Sequence, residues 1–309
     1  MKKLITAKES VMSKSINDKK IYIIINPISG KGSSLKIIPK IKEYLDGKKI
    51  KYKEIYTQYE GHATEIAEQN KNKADIGLII VVSGDGTLNE VINGWYPSQI
   101  PIGYIPSGTG NDYAREMGIP KDPILALERI LKKEVKKIDI GRINDRYFIN
   151  VASMGFDGEV AHFVNNSKLK RLFGKLVYVF GVLRILLSYN PKQVKLVIDD
   201  KIHKYERVWL VAVANNRFYG GGMAICPNAQ NNDGQLDICI IKDITRLQLL
   251  RLFPLIFSGK HIEYPMIEKI NGKKIEVYTD DRFKIQADGE IFADMKIKFE
   301  IIKKALNVV

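Results

Sequence analysis

Cysteine is nearly absent. Cys226 and Cys239 are the only two in 309 residues, too few for a disulfide framework and without metal-ligand spacing. They read as core residues of a cytosolic protein. The four histidines form no cluster with cysteines or carboxylates, so metal-hydrolase and Ser/His/Asp chemistry have no support. His62 stands near a helix start and reads as a polar surface or capping residue. No apolar run reaches the ~18 residues that cross a bilayer as a helix. Residues 1–20 mix six lysines with Glu9 and Asp18 and lack a signal peptide's apolar stretch. They read as a mobile basic leader. Internal repeats and low-complexity tracts are missing too.

Negative charge is in deficit: 49 Lys and Arg face 35 Asp and Glu, a formal charge of +14. The partner is therefore anionic: a phosphate compound, a nucleic acid or a membrane surface. Nucleic acid loses ground, because no zinc finger, aromatic RNA-binding signature or basic zipper is present. With 45% hydrophobic and 27% charged residues the chain is an ordinary globular one, and its length predicts two domains.

The most telling stretch is Ser83-Gly84-Asp85-Gly86-Thr87-Leu88-Asn89-Glu90. The apolar run Ile76 to Val82 stops at this turn and a helical pattern opens at once, as at a buried parallel strand feeding a helix N-terminus. Backbone N–H groups and the helix dipole suit an anion there. Asp85 is unexpected, since a bare carboxylate repels phosphate; it makes sense beside Mg²⁺ or a cationic water network. The plain alternative is an ordinary tight turn. Its neighbours decide. Ile21 to Ile25 is a fully apolar strand ending in Asn26-Pro27-Ile28-Ser29-Gly30-Lys31-Gly32, which lacks Walker spacing. Tyr52 to Tyr56 ends at Thr57, and Ile102 to Ile105 leaves through Pro106-Ser107-Gly108-Thr109-Gly110-Asn111-Asp112. Strand and helix alternate four times, predicting a doubly wound parallel sheet with its glycine turns along the strand C-terminal edge, where ligands bind.

A helical piece, Pro123 to Lys133, closes the first domain. From Val135 strands dominate, at 135–143, 147–153, 194–198, 208–214, 236–241, 274–278 and 283–287, and predict a β-sandwich-like second domain. The expected domains are 21–138 and 139–294, with a last strand from Met295 free to return to the first, so that 295–309 completes it. Two basic apolar stretches differ from the rest. In one, Leu169, Leu172, Phe173, Leu176, Phe180, Leu183 and Leu187 recur at helical spacing among Lys168, Lys170, Arg171, Lys175 and Arg184. The other spans Thr245 to Ile262. Both fit a membrane-facing helix or a helix covering the sheet. The oxygen-rich tract Asn228 to Asp237 could ligate a hard cation or simply turn. Ala287-Asp288-Gly289-Glu290 holds two carboxylates around a glycine, suited to a general base and a second contact, or to a turn alone.

Taken in order, these segments resemble the diacylglycerol kinase catalytic family, which includes YegS/BmrU-type bacterial lipid kinases and the sphingosine and ceramide kinases. Ser83 to Thr87 is similar to the family's Gly-Gly-Asp-Gly-Thr signature, with Ser83 for the first glycine. Asn26 to Gly30, Gly108 to Arg115, Gly155-Phe156-Asp157, Asn228 to Asp237 and Ala287 to Glu290 extend the resemblance over nearly the whole chain after Lys20. It implies a doubly wound, NAD kinase/diacylglycerol kinase-like α/β domain, a C-terminal β-sandwich domain, and an active site in the cleft between them. It implies ATP held by Asn26, Pro27, Ile28, Ser29, Gly30, Thr57, Ser83, Gly84, Asp85, Gly86, Thr87, Leu88, Asn89 and Thr109, with Glu290 a nucleotide-side contact. Mg²⁺ and its waters would be organised by Asp85, Asn111, Asp112 and Asp139. Asp288 would be the base facing the lipid hydroxyl. Gln230, Asp233 and Gln235 match a structural Mg²⁺ site, Gln235 through its backbone carbonyl.

The expectation is an ATP- and Mg²⁺-dependent lipid kinase, cytoplasmic and peripheral to an anionic bilayer, acting on diacylglycerol to give phosphatidic acid. No nucleic acid is expected as partner, and a homodimer is left open. Two rivals stand beside this: an NAD kinase-like phosphotransferase, and a non-catalytic nucleotide- or lipid-binding regulator.

Overall fold

A computed structural model describes residues 19–132, 134–167 and 176–309. Most of the basic leader, together with Lys168, Leu169, Lys170, Arg171, Leu172, Phe173 and Lys175, lies outside the described residues. The chain divides into two compact units: residues up to 138 with 304–309, and residues 139–303.

In the first unit the strands β1 (Lys20–Ile25), β2 (Tyr52–Tyr56), β3 (Ile76–Ser83) and β4 (Ile102–Pro106) pair in the order β2-β1-β3-β4, every pair parallel. Helices α1 (Ser33–Gly47), α2 (His62–Asn70), α3 (Asp85–Trp95), α4 (Asp112–Glu116) and α5 (Pro123–Lys132) join or follow them. Residues 21–25 and 78–82 are buried without a break, as a parallel strand covered on both faces must be. Ile21, Ile23 and Ile25 share one core with Ile38, Ile41 and Leu45 of α1 and Ala126, Leu127 and Ile130 of α5. His62 opens α2, accepts the Gln58 amide on Nδ1 at 3.1 Å and stacks on Tyr59.

The second unit holds most of β5 (Lys136–Ile143), β6 (Arg146–Phe148), β7 (Val151–Gly155), α6 (Phe156–Asn166), α7 (Leu176–Ser188), β8 (Lys192–Ile198), β9 (Lys201–Ala214), β10 (Phe218–Tyr219), β11 (Met223–Ala224), β12 (Leu236–Lys242), α8 (Arg246–Ile256), β13 (Ile267–Gly272), β14 (Lys274–Ala287) and most of β15 (Glu290–Val308). Its sheet runs antiparallel in the order β13-β12-β9-β7-β14-β15. The period of two sorts the strands' side chains onto two faces. Val208, Val211, Val213, Ile238 and Ile240 join the core of the sandwich with Val194, Leu196, Ile275 and Phe299. Trp209, Ala212, Ala214, Cys239 and Ile241 face Val160, Val182, Leu186, Leu249, Leu252 and Ile256 of the three helices. Both cysteines are buried and unbridged.

Several boundaries differ from those read in the sequence. The 147–153 stretch is two strands, because the chain turns at Ile149 and Asn150 between β6 and β7. The 274–278 and 283–287 stretches are one long strand interrupted by a register shift. Only residues 304–309 return to the first unit, where Val308 pairs with Ile102; the portion from Met295 to Lys303 stays with the second. Helix α8 ends at Ile256, short of Ile262, and a separate short turn of helix follows at Lys260–Glu263.

Candidate functional site

Three loops meet at the C-terminal edge of the parallel sheet. The Asn26 side chain donates to Thr87 Oγ1 at 2.8 Å, tying the loop after β1 to the first turn of α3. The Ser107 amide donates to the Ser83 carbonyl at 2.8 Å, which joins the loops after β3 and β4. Glycine is required where these backbones touch. A Cβ on Gly108 would lie 2.5 Å from the Gly84 Cα, and one on Gly30, at φ +56°, 1.9 Å from the Ser107 carbonyl oxygen. Thr57 is buried at the end of β2, its amide on the Ile25 carbonyl. Ile28 and Thr109 are exposed, and Leu88 and Asn89 are buried along α3. Ser83 is fully buried and its backbone is not left-handed, so the family's first glycine can be a serine here without strain.

Gly86 is different. It is exposed, a Cβ on it would meet nothing within 4 Å, and its φ is not positive. Within the protein no steric reason requires glycine there. The space above the uncapped N-terminus of α3, whose N-cap Gly84 offers no side chain, is the place where a phosphate oxygen could approach the backbone.

Asp85 lies between two helix starts. Its carboxylate accepts the amides of Asp112 at 3.0 Å and Tyr113 at 3.1 Å, capping α4. Burial first, and then the charge of Asp112, still push its carboxyl above the usual range. Tyr104 stands beneath, donating its hydroxyl to the Ser83 carbonyl at 3.0 Å, with Asn111 Oδ1 3.3 Å from the same hydroxyl. Burial and the charges of Asp85 and Asp112 push its phenol well up. Asn111, at φ +53°, closes on the turn, taking the Gly108 amide on Oδ1 and donating Nδ2 to the Gly108 carbonyl. Asp112 is buried and pairs with Arg115 at 2.5 Å. Among the described residues no three His, Cys, Asp or Glu side chains stand together as a metal cage. Mg²⁺ does not require one: it takes one or two carboxylates and completes its shell with substrate phosphates and water. The crowded Asp85–Asp112 pair fits such an ion.

The remaining candidates belong to the second unit. Asp139 does not join the Asp85 group in one unit; it is buried, accepts the Gly234 amide at 2.8 Å and donates its own amide to Asn231 at 2.7 Å, fixing the oxygen-rich tract as a tight turn. In that turn Gln230 is exposed and Asp233 accepts the Gln235 amide at 2.9 Å. Asp237, not singled out from sequence, has its carboxyl pushed up to about 6 by burial and by Asp233. Two neighbouring carboxylates of this kind have the donor chemistry of a hard-cation site. Asp288 and Gly289, at φ +47° and +93°, form the two-residue link between β14 and β15, a type I′ geometry. The Asp288 carboxylate accepts the amides of Ile149 (2.6 Å), Asn150 (3.1 Å) and Val151 (3.2 Å). Glu290 pairs with Arg146 at 2.5 Å. The three amides carry no side-chain signature and could not be found from sequence; a non-glycine residue before glycine at a hairpin was the only hint.

The diacylglycerol kinase catalytic domain matches residues 20–143, and the YegS C-terminal NAD kinase beta sandwich-like domain matches residues 150–309. The chain belongs to the diacylglycerol kinase family. It is a lipid kinase with ATP as phosphoryl donor. This kinase is 32% identical to a diacylglycerol kinase of Mycobacterium tuberculosis over 94% of each chain. It is 31% identical to one of Bacillus subtilis, over 94% of this chain and 96% of that one. A Bacillus anthracis protein whose crystal structure carries a provisional diacylglycerol kinase name superposes with a TM-score of 0.78 at 27% identity, covering 94% of the kinase and 95% of that chain.

Proposed function

We propose that the kinase transfers the γ-phosphate of ATP, with Mg²⁺, to the free hydroxyl of diacylglycerol, giving phosphatidic acid at the surface of an anionic bilayer. The observation that carries the nucleotide half is Gly86: a glycine that the fold itself does not need, at an uncapped helix start, beside a crowded carboxylate pair. The names of the relatives support the acceptor.

In this reading the amides at the start of α3 and the loops of Asn26 to Gly30 and Gly108 orient the triphosphate. Asp85 and Asp112 would hold the Mg²⁺, which supplies charge neutralisation on the phosphates, and Asp85 keeps α4 docked against the turn. Asp288 takes the proton from the acceptor hydroxyl as the new O–P bond forms and the bond to ADP breaks. Its three amide donors fix the carboxylate in place. A carboxylate suffices as the base because the proton leaves late in phosphoryl transfer. Asp233 and Asp237 would hold a second, structural cation.

The bilayer is the proposed partner. Val179, Phe180, Leu183 and Leu187 of α7 and Leu247 and Leu250 of α8 are exposed, with Arg184 and Arg251 beside them. The stripe Phe180, Leu183 and Leu187 seen in the sequence points outward, while Val182 and Leu186 cover the sheet. The two alternatives for these helices are thus compatible. No helix among the described residues is long and apolar enough to cross a membrane.

The test is transfer from radiolabelled ATP to a panel of diacylglycerol, ceramide, a sphingoid base, a polyprenol and NAD, the lipids in mixed micelles. Diacylglycerol is expected to be labelled at least tenfold faster than any other. Preference for another alcohol, or for NAD, would refute the acceptor assignment.

A further inference from the structure

The Gly155-Phe156-Asp157-Gly158 segment brings the start of α6 against the strand that leads to Asp288. A Cβ on Gly158 would lie 2.0 Å from the Lys284 carbonyl oxygen, so the first turn of α6 rests directly on the backbone of β14. On the same face Lys284 Nζ donates to Glu159 at 2.8 Å. The period of two puts Gln286 on this helix-covered face beside Lys284, while Ile285 and Ala287 enter the core of the sandwich. A glutamine only 5% exposed needs a partner at each end of its amide.

Both partners are present. Gln286 stands opposite Ser153 of β7 in the antiparallel pairing, and its Nε2 donates to Ser153 Oγ at 2.8 Å. Its Oε1 accepts the Gly289 amide at 3.2 Å. The Ser153 hydroxyl, fully buried, donates to the buried Asp157 carboxylate. The direction of this chain is set at the Asp157 end. A carboxylate only accepts, so the one hydrogen of Ser153 is spent on it, and Ser153 Oγ is left to accept from Gln286. Gln286 must therefore turn its oxygen toward Gly289.

We propose that Gln286 is a positioning residue for Asp288, kept in its working orientation by Asp157 through Ser153. The proposal rests on the reading of Asp288 as the base. The left-handed Asp288–Gly289 link is gripped at two points: the Asp288 carboxylate by the amides of Ile149, Asn150 and Val151, and the Gly289 amide by Gln286. With the second grip lost, the link pivots about the first. A shift of about 1 Å in a reacting group costs on the order of a hundredfold in rate. The start of α6 thus braces the base without touching the reacting atoms.

Reversing the chain tests this in the intact kinase. Gln286→Glu keeps the shape but sets a carboxylate against Ser153 Oγ, whose hydrogen already points at Asp157. Adding Asp157→Asn restores every bond in the opposite sense: the new amide donates to Ser153, Ser153 donates to the introduced carboxylate, and that group's other oxygen accepts the Gly289 amide. At pH 8, Gln286→Glu should lower kcat for diacylglycerol at least twentyfold with KM for ATP within twofold. The double variant should return kcat to within fivefold of the parent. Hydrogen exchange of the Gly289 amide, which needs no substrate, should quicken at least tenfold in the single variant and recover in the double. Equal losses in the single and double variants, or unchanged Gly289 exchange in Gln286→Glu, overturn the positioning role. Should Gln286→Glu alone fail to fold, the double variant decides: folded and active it supports the relay, and unfolded it overturns it. If Gly289 exchange quickens and recovers as stated while kcat stays parental throughout, the relay stands and the reading of Asp288 as the base fails.

Discussion

Substitutions at Gly86 and Asp85 separate stability from activity. Alanine is a better helix residue than glycine by about 0.8–1 kcal/mol, and a Cβ at Gly86 meets nothing. Gly86→Ala should therefore raise the melting temperature slightly while weakening ATP binding at least tenfold, read by calorimetry and by nucleotide titration. Unchanged ATP affinity would mean that the open space is not reserved for phosphate. At Asp85 two effects oppose each other. Asparagine loses part of the cap on α4, about 1 kcal/mol, but removes a buried charge and its repulsion from Asp112, which in that order keep the carboxyl raised. Asp85→Asn should thus stay within about 1 kcal/mol of the parent in urea unfolding. Its turnover should fall at least a hundredfold; activity near that of the parent would remove Asp85 from the phosphate site.

Gly108→Ala pushes a Cβ to 2.5 Å from the Gly84 Cα, so the loops after β3 and β4 must separate. It should cost about 1–3 kcal/mol and abolish ATP binding, in contrast to Gly86→Ala one loop away. Much of this was legible in the sequence. Runs such as Ile21 to Ile25 and Ile76 to Val82 are apolar throughout because both faces are covered, and glycine-rich turns at their ends locate the binding edge. What was not legible has physical reasons. The turn at Ile149 and Asn150 carries no glycine or proline to announce it, so β6 and β7 merged into one strand. Strand β13 alternates Ile267, Lys269 and Ile270 too weakly for its period to stand out. The amides of Ile149, Asn150 and Val151 that hold Asp288, and the burial that raises Asp237 beside Asp233, are products of tertiary packing that no local pattern records.

At the scale of the whole molecule, charge and apolar exposure act together. On the proposed membrane reading, the formal charge of +14 draws the kinase to an anionic surface, and the exposed leucines of α7 add apolar contact. Liposome binding should rise with the fraction of anionic lipid and fall with salt. Leu187→Ser, at a position 79% exposed, should leave stability within about 0.5 kcal/mol and weaken liposome binding severalfold. Binding indifferent to lipid charge, to salt and to this substitution would place the membrane face elsewhere. In the proposed reaction the nucleotide-binding residues belong to the first unit and the proposed base, Asp288, to the second. Asn tolerates the left-handed backbone of position 288, so Asp288→Asn is the conservative way to remove the proposed base. It weakens the hold on three amides at about 1–3 kcal/mol, a loss that ATP binding to the first unit does not share. The most direct measurement is therefore single-turnover phosphoryl transfer from ATP to diacylglycerol by Asp288→Asn, with ATP affinity measured on the same sample. The account predicts ATP affinity within threefold of the parent and transfer reduced at least a thousandfold; transfer near the parental rate with ATP bound would contradict it.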